Sequence, residues 1–232
     1  TMKYDLHIHS CLSPCGDEEM TPNNIVGMAH LAGLDVISVC DHNSAKNLEA
    51  VKICAQGFGL KLLPGIEVCT QEEIHLLCYF SAVDTCVEFG EMIYDSLPPI
   101  KNKPEIYGRQ SVLNSQDEIL YDIEKLLIVG CGYNIYEAVQ LCHNMGGKCF
   151  YAHADKNSFS ILSVLGAIPN DLPVDGVEIF DLTHLDELIS KGLISLDMPF
   201  MSNSDAHSLE FIGDKELNLP VDSPLYSLIS QL

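Results

Sequence analysis

Two pairs of polar residues with the same spacing lie far apart in the sequence. His7 and His9 flank one apolar residue in a run that alternates like a β-strand, and Asp205 and His207 repeat this spacing. Alternate residues of a strand point to the same side, so each pair directs two side chains to one place. Imidazole and carboxylate groups are ligands of zinc, manganese and iron in proteins. The spacing therefore predicts a metal site.

Further polar residues of the same types lie at or just beyond the ends of other strand-like runs. Asp41 and His42 follow the apolar run VISVC, Glu67 ends the run LLPGIE, His75 begins HLLCYF, and His153 follows KCFYA. The carboxyl ends of strands in a parallel α/β fold face one crevice or one barrel mouth. We therefore expect these side chains to converge with the two pairs, and their number suits two or three ions.

The elements that would position these residues alternate between strands and helices. Strands are predicted at 4–9, 36–40, 60–68, 74–80, 148–152, 176–180 and 199–203, and helices at 21–31, 46–56, 134–145, 184–191 and 223–232. This alternation indicates a parallel sheet covered by helices, either open or closed into a barrel. Residues 81–132 interrupt the pattern, read as loop and short helix, and are interpreted as an insertion or lid within a single domain, 1–232.

Six segments together resemble the PHP (polymerase and histidinol phosphatase) superfamily of metal-dependent phosphoesterases. The segments are DLHIHSCLSPCGD, GLDVISVCDHN, LLPGIEV, EIHLLCYF, YAHAD and SNSDAH, and they span residues 5–207 in the order of that family. The resemblance implies a distorted (β/α)7 barrel of the α/β class. It also implies a trinuclear metal site at the carboxyl-terminal mouth of the barrel.

The resemblance assigns ligands to three ions, of zinc, manganese or iron. It places His7, His9, Glu67 and Asp205 on the first ion, with Glu67 bridging to a second ion held by His75 and His153. It places His42, His207 and the residue at position 15 on the third. The family usually has Asp or His at that position, whereas this chain has Cys15, whose thiolate is a softer ligand. Asp41 is expected to orient a metal-bound histidine.

The activity implied by this site is hydrolysis of a small phosphate monoester, in which a hydroxide held between metals attacks phosphorus. Glu67 and Asp205 are the candidate catalytic residues, with Asp205 or a nearby histidine assisting proton transfer. Arg109 and Lys156 are weaker candidates for contacts with the substrate. Three alternatives remain open: a nucleotide or short-oligonucleotide exonuclease of the same superfamily, a metal-dependent amidohydrolase, and a non-catalytic metal-stabilised domain.

Charge and composition bear on partners and location. The chain has 33 acidic and 12 basic residues, a formal net charge of −21, with Arg109 as its single arginine. Because nucleic-acid binding depends mainly on Lys and Arg, we expect no long nucleic acid as a partner. The sequence begins without an apolar signal segment and has no run long enough for a membrane helix, which predicts a cytoplasmic protein without membrane contact. Its ten cysteines lack a CxxC pair and mostly lie in apolar runs, so we expect buried free thiols.

Overall fold

The computed structural model describes residues 2–215 and 217–232, and shows a mixed α/β fold. The strands in these ranges are β1 Met2–Ile8, β2 Val36–Val39, β3 Lys61–Leu62, β4 Gly65–Cys69, β5 His75–Tyr79, β6 Ser111–Leu113, β7 Ile119–Asp122, β8 Lys148–Tyr151, β9 Gly176–Glu178, β10 Phe200–Met201 and β11 Asn218–Leu219. The α-helices there are α1 Pro22–Leu31, α2 Leu48–Phe58, α3 Val83–Ser96, α4 Pro104–Tyr107, α5 Ile135–Asn144, α6 Ile161–Leu165, α7 Leu185–Ser190 and α8 Tyr226–Ile229.

Local sequence explains where the helices of the predicted pattern begin. Thr21 caps α1 by accepting a hydrogen bond from the backbone N–H of Asn24, and Pro22 occupies the first turn. Asn134 and Glu137 form a reciprocal capping box at the start of α5. Such caps satisfy backbone N–H groups that have no partner within the helix. The two helices therefore begin within a residue of the predicted positions.

The strands form two larger sheets and one hairpin. One sheet has the order β11-β1-β2-β3, the second has the order β10-β9-β8-β5-β4, and β6 pairs with β7. The two larger sheets meet at two isolated parallel bridges, Ile8 with Ala206 and His42 with Glu67. The Tyr79 hydroxyl of β5 also donates a hydrogen bond to the Leu6 carbonyl of β1, which joins the sheets through a side chain. The predicted α/β class is confirmed, but a closed (β/α)7 barrel is not.

The expected parallel sheet is also wrong in part, because β5 pairs antiparallel with both β4 and β8. A turn of a few residues joins β4 to β5, and Thr70 N–H donates to the carbonyl of Ile74 across it. A connection this short can only reverse the chain, whereas a parallel pair needs a long crossover. The neighbours β1–β2, β2–β3, β8–β9 and β9–β10 are parallel, as predicted, whereas β11 runs antiparallel to β1.

Residues 81–132 contain more regular structure than the sequence analysis predicted. The 14-residue helix α3 opens this segment and buries Val83, Cys86, Phe89 and Ile93. Their spacing of three to four residues is a helical pattern, so the signal was present in the sequence. The short helix α4 and the β6–β7 hairpin follow. No helix of the described ranges is long and apolar enough to cross a membrane.

A register shift in β1 decides which way the first histidines face. The pairing of β1 with β2 is irregular between Asp5 and Ile8. Before the shift, Leu6 packs with Tyr79 and Phe150 in an inner apolar cluster, whereas after it Ile8 packs in the larger cluster beneath the helices. The shift thus turns the side of the strand that carries His7 and His9 inward, as β-bulges near active sites do.

Candidate metal centre

Glu67 lies at the centre of the histidine cluster and is almost fully buried. Gly65, two residues earlier in β4, lets this strand pack closely against β2, since a Cβ at Gly65 would lie 2.3 Å from Ser38 Oγ and 2.7 Å from Cys40 Sγ. The bridge between His42 and Glu67 then holds β4 against the end of β2. A glycine at position 65 therefore allows β4 to bring the carboxylate of Glu67 into the histidine cluster.

The two carboxylate oxygens of Glu67 face different histidines. Oε1 lies 2.9 Å from His75 Nδ1 and 3.1 Å from His153 Nε2. Oε2 lies 3.4 Å from His7 Nε2, 3.3 Å from His9 Nε2 and 3.1 Å from His42 Nδ1. One carboxylate thus contacts two separate sets of imidazoles.

Asp205 completes the group around the first two histidines. Its Oδ1 lies 3.3 Å from His7 Nε2 and 3.1 Å from His9 Nε2, and the two imidazole nitrogens are 3.2 Å apart. Asp205 has a φ of +51°, a left-handed conformation that is uncommon outside glycine. Such backbone strain clusters at functional sites, where the surrounding structure maintains it.

The third set of donors is formed by histidines from three different elements. The ring of His9 stacks on that of His207 at 4.2 Å and lies 4.6 Å from that of His42. Three groups place possible ligand atoms within 4.8 Å of one another, namely His7 with His9 and Glu67, His42 with Glu67 and His75, and His9 with His42 and His207. These compact groups contain six of the seven predicted histidine and glutamate ligands. The seventh, His153, contacts Glu67 directly.

Cys15 has a less defined place. It lines the same pocket of about 280 Å³ as His42, Glu67 and His207. It is not among the compact donor groups of the described residues. Burial of the thiol, followed by the charge of Glu67, raises its pKa to about 12, although the residue as a whole is exposed. Its role as a third-ion ligand stays a prediction.

Burial and neighbouring charged groups shift the pKa values of several residues in this cluster, and for His9 and Glu67 they act in opposite directions. Burial favours the neutral form of His9, but hydrogen bonds to Asp205 and Glu67 outweigh it and raise its pKa to about 9. Burial likewise disfavours the charged carboxyl of Glu67, yet His75, His7 and His42 hold its pKa well below the usual range. Burial, together with the positive charge near His9, lowers the pKa of His207 to about 4.

Several buried polar atoms of the cluster make no well-aligned hydrogen bond within the described residues, although two of them, His42 Nδ1 and Glu67 Oε2, lie 3.1 Å apart. They are Nδ1 of His42, Nδ1 of His153 and Oε2 of Glu67. Leaving such atoms unpaired in a buried site costs free energy. All three are lone-pair donors of the kind that zinc, manganese and iron bind. The donor set thus fits divalent metal ions.

Asp41 lies behind the histidines, away from the pocket. It accepts hydrogen bonds from the backbone N–H and hydroxyl of Ser10 and from the hydroxyl of Ser13. The Ser13 oxygen in turn lies 3.0 Å from His9 Nδ1. Asp41 therefore connects to an imidazole of the cluster through one serine hydroxyl.

Glu178 is a buried carboxylate that was not among the predicted ligands, because nothing in its spacing requires metal contact. Both of its oxygens lie within 3.1 Å of His7 Nδ1, and it accepts hydrogen bonds from the His153 backbone N–H and the Asn203 amide. It is fully buried at the end of β9. A carboxylate at the tip of an apolar strand was the available signal, the same one that identified Glu67.

The two candidate substrate contacts lie in different places. Lys156 lines the pocket, and its Nζ lies 2.5 Å from Asp205 Oδ2. Arg109 is ion-paired with Asp122 at 2.9 Å and lines a separate cavity beside Cys11. The structure therefore brings Lys156 to the metal centre but does not bring Arg109 there.

The remaining cysteines conform to the expectation of free thiols. Nine of the ten are buried and none is paired in a disulfide, with Cys15 the exposed one. Cys78 and Cys149 lie opposite each other on β5 and β8, with their sulfur atoms 3.8 Å apart. They pack in the main apolar core, so they contribute as small hydrophobic side chains.

Sequence comparisons find two relatives. A 5'-3' exoribonuclease of Haemophilus influenzae is 35% identical over 80 residues, which are 33% of this chain and 28% of that protein. An uncharacterised protein of Methanocaldococcus jannaschii is 26% identical over 197 residues, which are 82% of this chain and 87% of that protein. The chain thus spans well under two thirds of the exoribonuclease. No protein-family model matches the chain.

Several solved structures share the fold. A metal-dependent phosphoesterase candidate of Bifidobacterium adolescentis has a TM-score of 0.65 at 17% identity, covering 98% of this chain and 96% of that one. An amidohydrolase of Chromobacterium violaceum has a TM-score of 0.62 at 17% identity, covering 99% and 96%. The lesion-specific endonuclease EndoQ of Pyrococcus furiosus has a TM-score of 0.60 at 18% identity, covering 90% of this chain and 49% of that one.

These comparisons overturn the expectation that long nucleic acid is excluded as a partner. Endonuclease Q shares this fold in complex with a 27-mer duplex, and the bacterial relative is an exoribonuclease. Net charge is a sum over the whole surface, whereas a strand contacts only a small part of it, where local cations decide the potential. The excess of acidic residues was therefore no basis for the exclusion. The chain therefore shares its fold with a metal-dependent phosphoesterase candidate and with an endonuclease, and its clustered imidazoles and carboxylates are of the kind that bind divalent metal ions.

Proposed function

We propose that this chain is a metal-dependent phosphoesterase that hydrolyses a phosphate ester of a nucleotide or at the end of a nucleic-acid strand. The observation that carries the proposal is the position of Glu67, whose two oxygens face separate sets of imidazoles. A carboxylate in that position suits a bridge between two ions. The exoribonuclease relative and the fold shared with Endonuclease Q support a nucleic-acid substrate.

The contacts within the cluster support three ligand sets. His7, His9, Glu67 and Asp205 would hold one ion, and Glu67 with His75 and His153 would hold a second. A third would lie near His42 and His207, with Cys15 as the further ligand. Bound divalent ions lower the pKa of water to about 7 and stabilise the charge on a phosphoryl oxygen.

The protein groups around the cluster orient these ligands. Glu178 fixes the ring of His7 through Nδ1 and leaves Nε2 facing the carboxylates of Glu67 and Asp205. Asp41 acts on His9 in the same way through Ser13. Partners of this kind set the tautomer and raise the basicity of a histidine ligand.

Two residues that line the pocket, Asp205 and Lys156, are suited to proton transfer and to anion binding. Asp205 holds its Oδ1 beside the histidines and its Oδ2 beside Lys156. The ammonium group of Lys156 is the one cation among the described residues that line this pocket. We infer that Lys156 binds a phosphoryl oxygen and that Asp205 accepts the proton of the attacking water.

Hydrolysis of a small phosphate monoester is the second candidate. The pocket volume of about 280 Å³ and its one lysine suit a compact monoanionic or dianionic group. Both candidates share the metal centre and differ in the leaving group.

Metal analysis followed by a substrate screen tests the proposal. Purified protein is analysed for bound metal and then assayed with Mn²⁺ or Zn²⁺ on phosphate monoesters, diesters and short oligonucleotides. Phosphate or nucleotide release that a chelator abolishes is expected. Absence of bound metal together with no release from any ester would refute the proposal, and hydrolysis of amides alone would favour an amidohydrolase.

A further inference from the structure

An exposed aromatic ring lies at the edge of the metal pocket. Phe159 lines the pocket together with His75 and His153, and 41% of its surface is exposed. Its ring stacks on the ring of His75 with centroids 4.8 Å apart and an angle of 21° between the planes. One face of the Phe159 ring is thus covered by a candidate metal ligand while the side chain remains accessible from solvent.

The backbone holds Phe159 in this position at a conformational cost. Its φ is +55°, a left-handed conformation that bulky residues rarely adopt. Its carbonyl accepts a hydrogen bond of 2.8 Å from the N–H of His75, which ties the loop to the start of β5. Ser160 ties the same loop to the carbonyl of Lys156. A strained, exposed aromatic residue that is fixed this firmly points to a role in binding.

The loop 153–160 therefore presents two different groups to one pocket. Lys156 offers a positive charge beside Asp205, and Phe159 offers an aromatic surface beside His75. Ile128 adds a further apolar side chain to the same pocket. Asn43 holds the segment of Ile128 through hydrogen bonds to the carbonyls of Leu127 and Val129.

A molecule complementary to this loop has an anionic group and a flat ring a few bonds apart. Nucleotides have this combination, and nucleobases stack on aromatic side chains whatever their sequence. We propose that Phe159 is the stacking platform for the nucleobase next to the phosphate ester that is hydrolysed. This inference rests on the proposed function, since it assigns the ligand class of the same pocket.

The test compares two ligands that differ only in the base. Adenosine 5'-monophosphate and ribose 5-phosphate are titrated into the Mn²⁺-loaded protein by calorimetry, and their hydrolysis is assayed in parallel. We expect the nucleotide to bind about tenfold more tightly than the sugar phosphate, the range given by stacking of one base.

Variants assign this preference to the ring. Phe159→Gly removes the ring at a backbone conformation that glycine adopts readily, and we expect it to abolish the tenfold preference while ribose 5-phosphate binds as before. Phe159→Tyr keeps the ring and is expected to keep the preference. Phe58→Ala is the matched control, because Phe58 is also an exposed phenylalanine packed on a histidine, His30, at 5.0 Å.

Two results would overturn the inference. One is equal binding of the two ligands by the unchanged protein. The other is an equal loss for both ligands in Phe159→Gly, which would show that the ring only supports His75. If no phosphate ester is hydrolysed but the base preference depends on Phe159, the proposed function fails and the binding inference stands.

Discussion

Glu178 lies 3.0 Å from Nδ1 of His7, and both side chains are completely buried. The same carboxylate accepts hydrogen bonds from the backbone of His153 and the amide of Asn203. Every partner of Glu178 is therefore a donor. This contact fixes the orientation of the first histidine of the chain through a residue 171 positions away.

Replacement of Glu178 by glutamine tests this relationship. The amide NH₂ of glutamine would face one of three donors, so the His7 ring loses its fixed orientation. We expect metal affinity to fall about 10- to 100-fold, as for other partners of histidine ligands. Titration of the metal-free protein with Zn²⁺ against a competing chelator measures this, with exposed Glu187→Gln as the control. Equal affinities in the two variants would contradict the orienting role.

Glu67→Gln tests the bridging assignment. Glutamine keeps the shape but loses the charge and one acceptor oxygen between the two sets of imidazoles. We expect the variant to retain fewer ions per chain and to lose at least 100-fold in activity, since electrostatic stabilisation at a single site is typically of that size. Elemental analysis and steady-state assays measure both effects. A variant with full activity and full metal content would show that Glu67 does not bridge.

Cys15→Ala tests whether the thiol is a ligand. If Cys15 holds the third ion with His42 and His207, the variant is expected to retain one ion fewer per chain after desalting, and Cys15→Asp is expected to restore it. The control is Cys54→Ala, because Cys54 is a buried thiol away from the pocket. An unchanged metal count in Cys15→Ala would remove Cys15 from the ligand set.

Lys156→Met separates anion binding from metal binding. The substitution removes the ammonium group beside Asp205 but keeps most of the apolar side chain. We expect KM for a phosphate ester to rise about tenfold, the effect of one charge-assisted hydrogen bond, while the metal content stays unchanged. Arg109→Met is the control, because Arg109 is paired with Asp122 outside this pocket. A larger effect in Arg109→Met than in Lys156→Met would contradict the assignment.

Between about pH 6.5 and 8.5, the stability of the metal-free protein and that of the metal-bound protein should change with pH in opposite directions. The pKa of His9 is raised to about 9, so its charged pairs stabilise the metal-free fold fully below about pH 6.5 and this contribution is lost as pH rises through 9. Metal binding needs neutral imidazoles and displaces these protons. We therefore expect the increase in Tm on adding Mn²⁺ to grow from pH 6.5 to 8.5. Thermal unfolding curves measure this increase in Tm. An increase that stays constant or becomes smaller between about pH 6.5 and 8.5 would contradict the prediction.

The lowered pKa of Glu67 gives the stability of the fold the opposite dependence on pH. A carboxylate with a lowered pKa stabilises the fold above the pKa of the unfolded chain, and this contribution is lost as pH falls through the folded value. Acid should therefore destabilise the protein with or without metal. A pH titration of Tm therefore separates the two groups, because the contribution of His9 is lost as pH rises and that of Glu67 is lost as pH falls.

Much of the site was readable from residue types at strand ends. His7, His9 and Glu67 were identified because a charged or imidazole side chain in an apolar run is costly unless it is paired or bound to metal. Helix α1 was predicted from Thr21 and Pro22 alone, since capping is a local property. Helix α3 was not predicted, although Phe89 and Ile93 carry its pattern, because Pro98, Pro99 and Pro104 indicate irregular structure for the segment and yet lie beyond the end of the helix.

The sequence by itself determined the candidate ligand types and most of the strand-and-helix order outside residues 81–132, because both depend on a few neighbouring residues. Only the tertiary structure decided the rest. The antiparallel pairing of β5, the inward turn of His7 and His9 after a register shift, and the contact of Glu178 with His7 depend on residues far apart in the chain. The exclusion of long nucleic acid was wrong for the same reason, since net charge carries no information about where charges lie.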